Sequence, residues 1–402
     1  MKKEKIFSSF SVLPQEEMLE IKSHSKSLNI GVLKETSFQE NRVILTPDSV
    51  GLLVANGHSV IIEKGAGDAS NFSDNEYIEK GAKIAITKDE VLKSEFVLKI
   101  EPLTNKEVSL LKFEQKLVSA VQMSTQTKQY FDNLNKKRIT SFGFEFIEDN
   151  HGKLPIVRAM SEIAGNTSIL LASEYLSNYH NGKGLMLGGV SGLIPTNIVI
   201  IGAGTVSEYA CRTALGLGAS VTVFDDSSTK LRRLQNNINY RVGTSTLQPK
   251  VLLKSLKRAD VVIAALRVGN KRVPCVVNEE IVKEMKPGAV IVDVGIDQGG
   301  CFETSEVTSH KKPTYIKHDV VHYCVPNIAS RVSRTASMAI SNIITPLLLK
   351  ISNMGGLQKS ISTNNPIRKG IYTFNGNLTN NLLSKYFNIP SVDIDLIISS
   401  KQ

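Results

Sequence analysis

The stretch 196–207, TNIVIIGAGTVS, decides the fold of this 402-residue chain. Its run of Ile and Val is typical of a strand that is buried on both faces. The glycine turn at 202–204 follows directly, and the next residues predict a helix over 208–217. A second apolar strand then leads into Asp225, which lies 21 residues beyond Gly204. Strand, glycine turn, helix, strand and acid in this order indicate a Rossmann-type dinucleotide-binding unit.

The residues of the turn have separate tasks in holding a dinucleotide. Gly202 permits the tight turn, and Gly204 has no Cβ atom, so the pyrophosphate can approach the backbone. The phosphate would lie over Thr205 and Val206 at the start of the helix, where free N–H groups and the helix dipole favour an anion. Asp225 can accept hydrogen bonds from the adenine ribose and repels a 2′-phosphate, so we expect NAD rather than NADP.

Ser207 stands where this pattern usually has a third glycine. That glycine allows close packing of the helix on the strand. Because serine is small, we expect a modest loss of packing rather than failure. The alternative is a degenerate Rossmann unit that binds no cofactor.

Strand and helix patterns alternate along the rest of the chain, which predicts an α/β protein with mostly parallel sheets covered by helices. Further strands are predicted over 29–33, 59–63, 259–266, 289–294 and 321–325, and helix-like and strand-like pieces recur through 96–100, 117–121 and 139–146. Helices are predicted after Thr46, over 336–349 and, with loops, over 370–389.

Composition excludes several classes of function. The formal net charge is +10, but the basic residues are spread along the chain and Trp is absent, which favours a solvated basic surface over a nucleic-acid site. The N-terminus lacks the apolar core of a signal peptide, and no uncharged apolar stretch reaches 18 residues. We therefore expect a cytoplasmic protein without a membrane span.

Four cysteines occur, and no pair has the C-x-x-C spacing. Each lies in or beside an apolar run, as buried free thiols do. We therefore expect no metal site from Cys211, Cys275, Cys301 and Cys324.

Five longer motifs accompany the glycine turn. They are GVLKETSFQENRVILTPDSV at 31–50, MSEIAGN at 160–166, GLMLGGVSG at 184–192, MKPGAVIVDVGIDQGGCFETS at 285–305 and HYCVPNIAS at 322–330. On these motifs the chain resembles the alanine dehydrogenase family, which also contains the α subunit of proton-pumping nicotinamide nucleotide transhydrogenase. The resemblance runs from about residue 29 to about residue 390.

The resemblance implies a discontinuous fold. A substrate domain would comprise 28–160 and 331–402, with an NAD-binding Rossmann domain at 161–330 inserted between them and an extension at 1–27. It also implies a homo-oligomer, as a hexamer or a dimer. Because the transhydrogenase subunit often carries C-terminal membrane spans, we expect the soluble dehydrogenase.

The resemblance also implies roles for individual residues. Arg42 would bind the substrate carboxylate, a task that suits the fork of a guanidinium. Asp297 would be the catalytic aspartate near the nicotinamide. Ser161, Lys230 and Asn327 would contact the cofactor. The alternatives are an ordinary salt bridge for Arg42, a turn-capping role for Asp297 and structural roles for the other three.

Two expected residues are missing. Gln122 stands where the family has a histidine that hydrogen-bonds the substrate carbonyl and transfers a proton, and Gln cannot titrate. The ungapped register places Glu101 at a substrate-binding lysine, whereas a one-residue slip leaves Lys99 as the nearest substitute.

These departures leave three hypotheses open. The first is an NAD-dependent alanine dehydrogenase with a proton path through His318, His322 or Tyr323. The second is a dehydrogenase of another amino acid, whose cationic side chain Glu101 could meet. The third is an NAD(H)-binding protein like the transhydrogenase α subunit. The first is the expected function: L-alanine, NAD⁺ and water give pyruvate, ammonium and NADH.

Overall fold

The structure is a computed structural model, which describes residues 25–37, 39–180, 182–267, 272–363 and 365–400. The predicted extension at 1–27 lies outside the described residues except for its last three. The chain forms two compact units. The first unit takes the described parts of 1–36, 42–156 and 337–402, and the Rossmann unit takes those of 37–41 and 157–336.

The order of elements is the alternation that the sequence predicts. The strands are β1 Asn29–Val32, β2 Ser59–Glu63, β3 Lys83–Ala85, β4 Phe96–Leu98, β5 Lys116–Ser119, β6 Thr140–Gly143, β7 Asn197–Ile201, β8 Ser220–Phe224, β9 Gly243–Ser245, β10 Val261–Ala264, β11 Val290–Asp293, β12 Thr314–Lys317, β13 Val320–Tyr323, β14 Ile371–Phe374 and β15 Asn377–Leu378.

The helices cover these strands. They are α1 Pro47–Ala55, α2 Asp74–Glu79, α3 Lys88–Val91, α4 Asn105–Leu110, α5 Lys128–Lys136, α6 Pro155–Leu176, α7 Thr205–Gly216, α8 Ser228–Ile238, α9 Pro249–Leu256, α10 Glu279–Lys283, α11 Ser333–Asn353, α12 Leu357–Thr363, α13 Asn365–Lys369, α14 Asn381–Phe387 and α15 Ile394–Ser399.

The Rossmann unit has a seven-stranded sheet in the order β12-β13-β11-β10-β7-β8-β9. Only the edge strand β12 is antiparallel to its neighbour. β7, which precedes the glycine turn, lies between β8 and β10, and apolar clusters cover both faces of the sheet. Burial on both faces explains why these strands have nearly continuous Val and Ile runs.

The first unit has an eight-stranded sheet in the order β15-β14-β6-β5-β4-β1-β2-β3. β1 to β6 are parallel to one another, so β1, β4, β5 and β6 present their carboxyl ends at one edge. The α/β fold class, with two sheets that are mostly parallel, is confirmed.

The prediction of a helix with loops over 370–389 is wrong in its first half. β14 pairs antiparallel with β6 and with β15, and only then does α14 begin. Asn375 and Gly376, with φ of 49° and 82°, form the two-residue turn between β14 and β15. Asn-Gly between apolar residues is a strong hairpin signal, and it was present in the sequence.

One apolar helical stretch among the described residues, Ile328–Asn353, is long enough to cross a membrane, and half of its most apolar window is buried inside the protein. Within the first unit, the hydroxyls of Ser337 and Ser341 on this helix accept hydrogen bonds from the N–H groups of Val43 and Thr46, at 2.9 and 3.0 Å. These contacts are those of a core helix.

The cysteine prediction needs one correction. Cys211, Cys301 and Cys324 are buried, but Cys275 is exposed. Cys275 lies on the irregular segment that precedes α10, where its apolar neighbours do not cover it.

The turn at Gly376 gives a test of the hairpin. We expect Gly376→Ala to lower the free energy of unfolding by about 1 kcal/mol, because a side chain is strained at positive φ. Gly51→Ala, in the interior of α1 and at negative φ, is the control and should cause no such loss. Urea denaturation of both variants measures the difference, and an unchanged Gly376→Ala protein would contradict the turn.

Candidate active site

The glycine turn of the Rossmann unit cannot tolerate a side chain at its first position. Gly202 has φ of +108°, and its N–H donates to the carbonyl oxygen of Phe224 at 2.6 Å. A Cβ atom there would lie 2.5 Å from the carbonyl oxygen of Ala265, on the strand end next to β7. Gly202 is therefore required by the close approach of two backbone segments.

Gly204 leaves open space over the start of α7. It is the N-cap residue, no side chain caps the helix, and nothing lies within 4 Å of the position that a Cβ atom would take. The helix begins at Thr205 and Val206, so its first N–H groups face this space. An uncapped helix start beside a residue without Cβ fits a phosphate group.

Asp225 links the glycine turn to the turn after β8. Its side chain is buried, and its two oxygens accept hydrogen bonds from the N–H groups of Ala203 at 2.8 Å and Ser227 at 2.9 Å. Each carboxylate oxygen keeps a further lone pair that could meet a ribose hydroxyl.

Lys230 lies beside this carboxylate, with its ammonium 3.9 Å from Asp225 Oδ2. This cation reduces the negative potential that would repel a 2′-phosphate. Asp225 paired with Lys230 therefore disfavours NADP less strongly than an isolated carboxylate would.

Ser207 is completely buried, and its hydroxyl has no hydrogen-bond partner among the described residues. The close approach in this region is made instead by Gly165 on α6. A Cβ atom at Gly165 would lie 2.4 Å from the carbonyl oxygen of Val206. Serine thus fits at position 207, at the cost of an unpaired buried hydroxyl.

The other predicted cofactor contacts are engaged within the protein. The Ser161 hydroxyl donates to the carbonyl oxygen of Val157 at 2.7 Å, one turn earlier on α6. Asn327 has φ of 58°, and its Nδ2 donates to Glu40 Oε2 at 2.8 Å. Ser161 could contact a cofactor through its oxygen lone pairs, and Asn327 through its amide oxygen or its second Nδ2–H.

Asp297 lies on the single helical turn Ile296–Gln298 that follows β11. Its side chain is solvent-accessible, but surrounding protein still desolvates the carboxyl and raises its pKa, while the guanidinium of Arg267 opposes that shift. A carboxyl with a raised pKa holds its proton closer to neutral pH, which suits proton transfer.

His318, His322 and Tyr323, the three alternatives for a proton path, lie in different surroundings in the Rossmann unit. His322 is fully buried, its Nδ1–H donates to the carbonyl oxygen of Val320, and its Nε2 accepts from the Thr304 hydroxyl at 2.8 Å. Burial lowers the pKa of His322 to about 4, so the ring stays neutral. His318 pairs with Glu279 at 2.6 Å, and Tyr323 is buried.

In the first unit, the loops after β4 and β5 line a cavity of about 240 Å³ at the carboxyl edge of the sheet. Glu101 and Gln122 both line it, so the structure brings together the two residues at which the sequence departs from the family it resembles. The other lining residues include Thr104, Asn105, Thr127 and Tyr130.

Lys99 is not among the residues that line this cavity. It is 2% exposed, and its ammonium lies 3.5 Å from Glu107 Oε2 on α4. Lys88 contacts the other oxygen of Glu107 at 2.6 Å. The structure therefore puts Glu101 at the cavity and Lys99 in a buried ion pair.

Two glutamates hold the cavity-lining loops. Glu145, after β6, accepts hydrogen bonds from the N–H groups of Val121 and Gln122, all at 3.0 Å. Gln122 has φ of +49°, a conformation that is uncommon outside glycine and often marks functional sites.

Glu35, which follows β1, holds the loop after β4 in the same way. It accepts from the N–H of Ile100 at 2.6 Å and from that of Glu101 at 3.4 Å. Sequence reasoning missed both glutamates. Their only signal was a carboxylate soon after a predicted parallel strand.

Arg42 is partly exposed and begins the second segment of the first unit. Its neighbour Val43 is tied to α11 through Ser337. The geometry of this segment thus fixes the backbone from which the guanidinium extends.

Family models and similar proteins cover most of this chain. Residues 31–164 match the family model for the N-terminal domain of alanine dehydrogenase/PNT, and residues 168–381 match the model for its C-terminal domain. The chain is 39% identical to an alanine dehydrogenase of Methanococcus maripaludis over 363 residues, 90% of this chain and 97% of the relative. It is 38% identical to that of Bacillus subtilis over 353 residues, 87% and 92% of the two chains.

Solved structures also resemble this chain over most of its length. An L-alanine dehydrogenase superposes with a TM-score of 0.83 at 34% identity, covering 89% of this chain and 99% of its own. A transhydrogenase from Sinorhizobium meliloti superposes with a TM-score of 0.74 at 19% identity, covering 87% and 98%. The second likeness shows the fold alone.

The unpaired hydroxyl of Ser207 gives a test of the packing around the glycine turn. We expect Ser207→Ala to raise the free energy of unfolding by about 1 kcal/mol, because it removes a buried polar group without a partner. Ser168→Ala is the matched control, since the buried Ser168 hydroxyl does donate, to the carbonyl oxygen of Gly165 at 2.7 Å. Chemical denaturation that finds Ser207→Ala less stable than the parent would contradict this account.

Proposed function

This chain belongs to the alanine dehydrogenase/PNT family, and on that premise we propose that it is an NAD-dependent alanine dehydrogenase. The reaction is the reversible oxidative deamination of L-alanine to pyruvate and ammonium. The observation that carries the proposal is identity of 39% with an alanine dehydrogenase over 97% of that relative.

The residues of the Rossmann unit fit a dinucleotide. The uncapped start of α7 and the open space over Gly204 would hold the pyrophosphate, and Asp225 would meet the adenine ribose. Ser161, Lys230 and Asn327 would make further contacts. When bound, NAD⁺ supplies the acceptor for the hydride that leaves the substrate carbon.

Three side chains would act on the substrate. Arg42 would bind the carboxylate through two parallel hydrogen bonds. Gln122 would orient the oxo or amino group by hydrogen bonding, without exchanging a proton. Asp297, with its raised pKa, would hold or accept a proton in the amine or water step.

The cavity favours a second candidate, a dehydrogenase of an amino acid with a cationic side chain. Glu101 places a carboxyl group among the lining residues, at the position where the resemblance expects a lysine. A carboxylate there weakens binding of a simple 2-oxo acid and attracts a cation. The surrounding hydroxyl and amide groups could accept its hydrogen bonds.

For the intact protein we propose small-molecule substrates, a cytoplasmic location and a homo-oligomer, as a hexamer or a dimer. We do not propose nucleic acid or a membrane as a partner.

The direct test is turnover. Purified protein mixed with NADH, pyruvate and ammonium should consume NADH, with NADPH and a panel of other 2-oxo acids measured in parallel. Preference for a 2-oxo acid with an amino side chain would select the second candidate. Tight NADH binding without turnover of any acid would overturn both and favour a transhydrogenase-like protein.

Restoring the family residues tests the role of the cavity. We expect Glu101→Lys with Gln122→His to raise kcat/KM for pyruvate by about 10- to 100-fold, since a charge-assisted hydrogen bond replaces repulsion. Glu79→Lys, on the exposed end of α2, makes one of the same charge changes away from the cavity and should have no effect. Equal rates for all variants would remove the cavity from substrate binding.

Removing the guanidinium of Arg42, which would bind the substrate carboxylate, should lower activity strongly. We expect Arg42→Ala to lower kcat/KM by about 100-fold, and Arg42→Lys to restore only part of it, because an ammonium cannot form the bidentate pair. Steady-state kinetics measure both. An undiminished kcat/KM for Arg42→Ala would withdraw its assigned role.

A further inference from the structure

Asp293, the last residue of β11, is 1% exposed and is not used in the proposed reaction. Its Oδ2 accepts a hydrogen bond from the Ser305 hydroxyl at 2.7 Å, and its Oδ1 accepts from the N–H of Gly295 at 3.1 Å. Gly295 begins the loop 295–300, which carries Asp297.

The loop folds tightly around this carboxylate. The N–H of Gly300 donates to the carbonyl oxygen of Gly295 at 3.1 Å, which closes the loop. Gly300 has φ of +67°, and a Cβ atom there would lie 2.5 Å from Asp293 Oδ2. The backbone of Gly300 thus lies too close to the Asp293 carboxylate for a residue with a side chain.

No ion pair with Asp293 is present in the described part of the chain, so its charge is balanced by hydrogen-bond donors alone. Burial raises the pKa of Asp293 to about 6, the donors from Ser305, Gly295 and Cys301 oppose this, and Asp297 adds to it. The remaining ionisable neighbours are the thiols of Cys301 and Cys324, whose own pKa values burial raises, so they stay neutral.

We propose that Asp293 is a positioning residue, whose two side-chain oxygens hold the loop 295–300 and thereby set the place of Asp297. The effect on catalysis rests on the proposed function, because that function assigns the role of Asp297. The effect of Asp293 on the loop is independent of the proposed function.

At neutral pH, the ionised and buried carboxylate of Asp293 lowers the stability of the folded state. Because the folded-state pKa lies above the ordinary value, the contribution of Asp293 to stability is fully present below about pH 4 and is lost as the pH rises through 6. At neutral pH the buried charge therefore disfavours the folded state, and a neutral amide of the same shape avoids that cost.

The test is Asp293→Asn, followed by hydrogen exchange of the segment 294–301, thermal unfolding and kinetics. At pH 8 we expect an unchanged or higher Tm, exchange of the loop amides at least about tenfold faster, and kcat lowered about tenfold or more with little change in KM. In the parent, opening the loop exposes Asp293 to water and lowers its pKa, so loop protection should fall as the pH rises through about 6, and in the variant it should not depend on pH there.

Two further variants distinguish an effect on the loop from a general loss of stability. Asp260→Asn removes another buried carboxylate of the same unit, which pairs with Lys286 at 2.9 Å and Lys183 at 3.4 Å, and should lower Tm without changing loop exchange. Ser305→Ala removes a donor that lowers the pKa of Asp293, so the loss of loop protection should move to higher pH.

If Asp293→Asn lowers Tm as Asp260→Asn does and leaves loop exchange unchanged, Asp293 is structural and the inference fails, whatever the activity of the parent. If the loop loosens as expected but the parent turns over no amino acid, the loop role stands and the proposed function fails.

Discussion

Backbone N–H groups that lie beyond the end of a parallel strand have no partner in the sheet, yet a buried N–H must be paired. In both units a carboxylate provides the acceptor. Glu35 and Glu145 hold the loops after β4 and β5, Asp225 holds the glycine turn, and Asp293 holds the loop after β11. Because these same strand ends carry the candidate site, the acids that complete the backbone also arrange the chemistry.

Except for Asp293, each of those carboxylates follows a different strand from the one whose end it holds. Glu35 lies 65 residues before Ile100, and Asp225 lies 22 residues after Ala203. A local pattern reveals a strand, but not which acid from another strand will reach its end. This explains why the turn residues Gly202 and Gly204 could be predicted from the sequence, while Glu35 and Glu145 could not.

The fold followed from local signals wherever hydrophobic burial decides it. The double-sided burial of β7, β10 and β11 predicts those strands, since few other structures need such runs of Val and Ile. Within 370–389 the apolar stretches are too short to distinguish strand from helix by periodicity, and the Asn-Gly turn at 375–376 is the local signal for the hairpin. At the site, sequence register alone could not choose between Glu101 and Lys99, because only the ion pair with Glu107 shows where Lys99 is engaged.

The pairing of β6 with β14 has a consequence for biosynthesis. Phe142 pairs with Ile371, so the sheet of the first unit is incomplete until nearly the whole chain has left the ribosome. Apart from 37–41, the Rossmann unit is one continuous stretch that ends at 336, and it can be translated completely before the last strands of the first unit exist. The exposed edge of β6 must therefore be protected from aggregation during translation until β14 arrives.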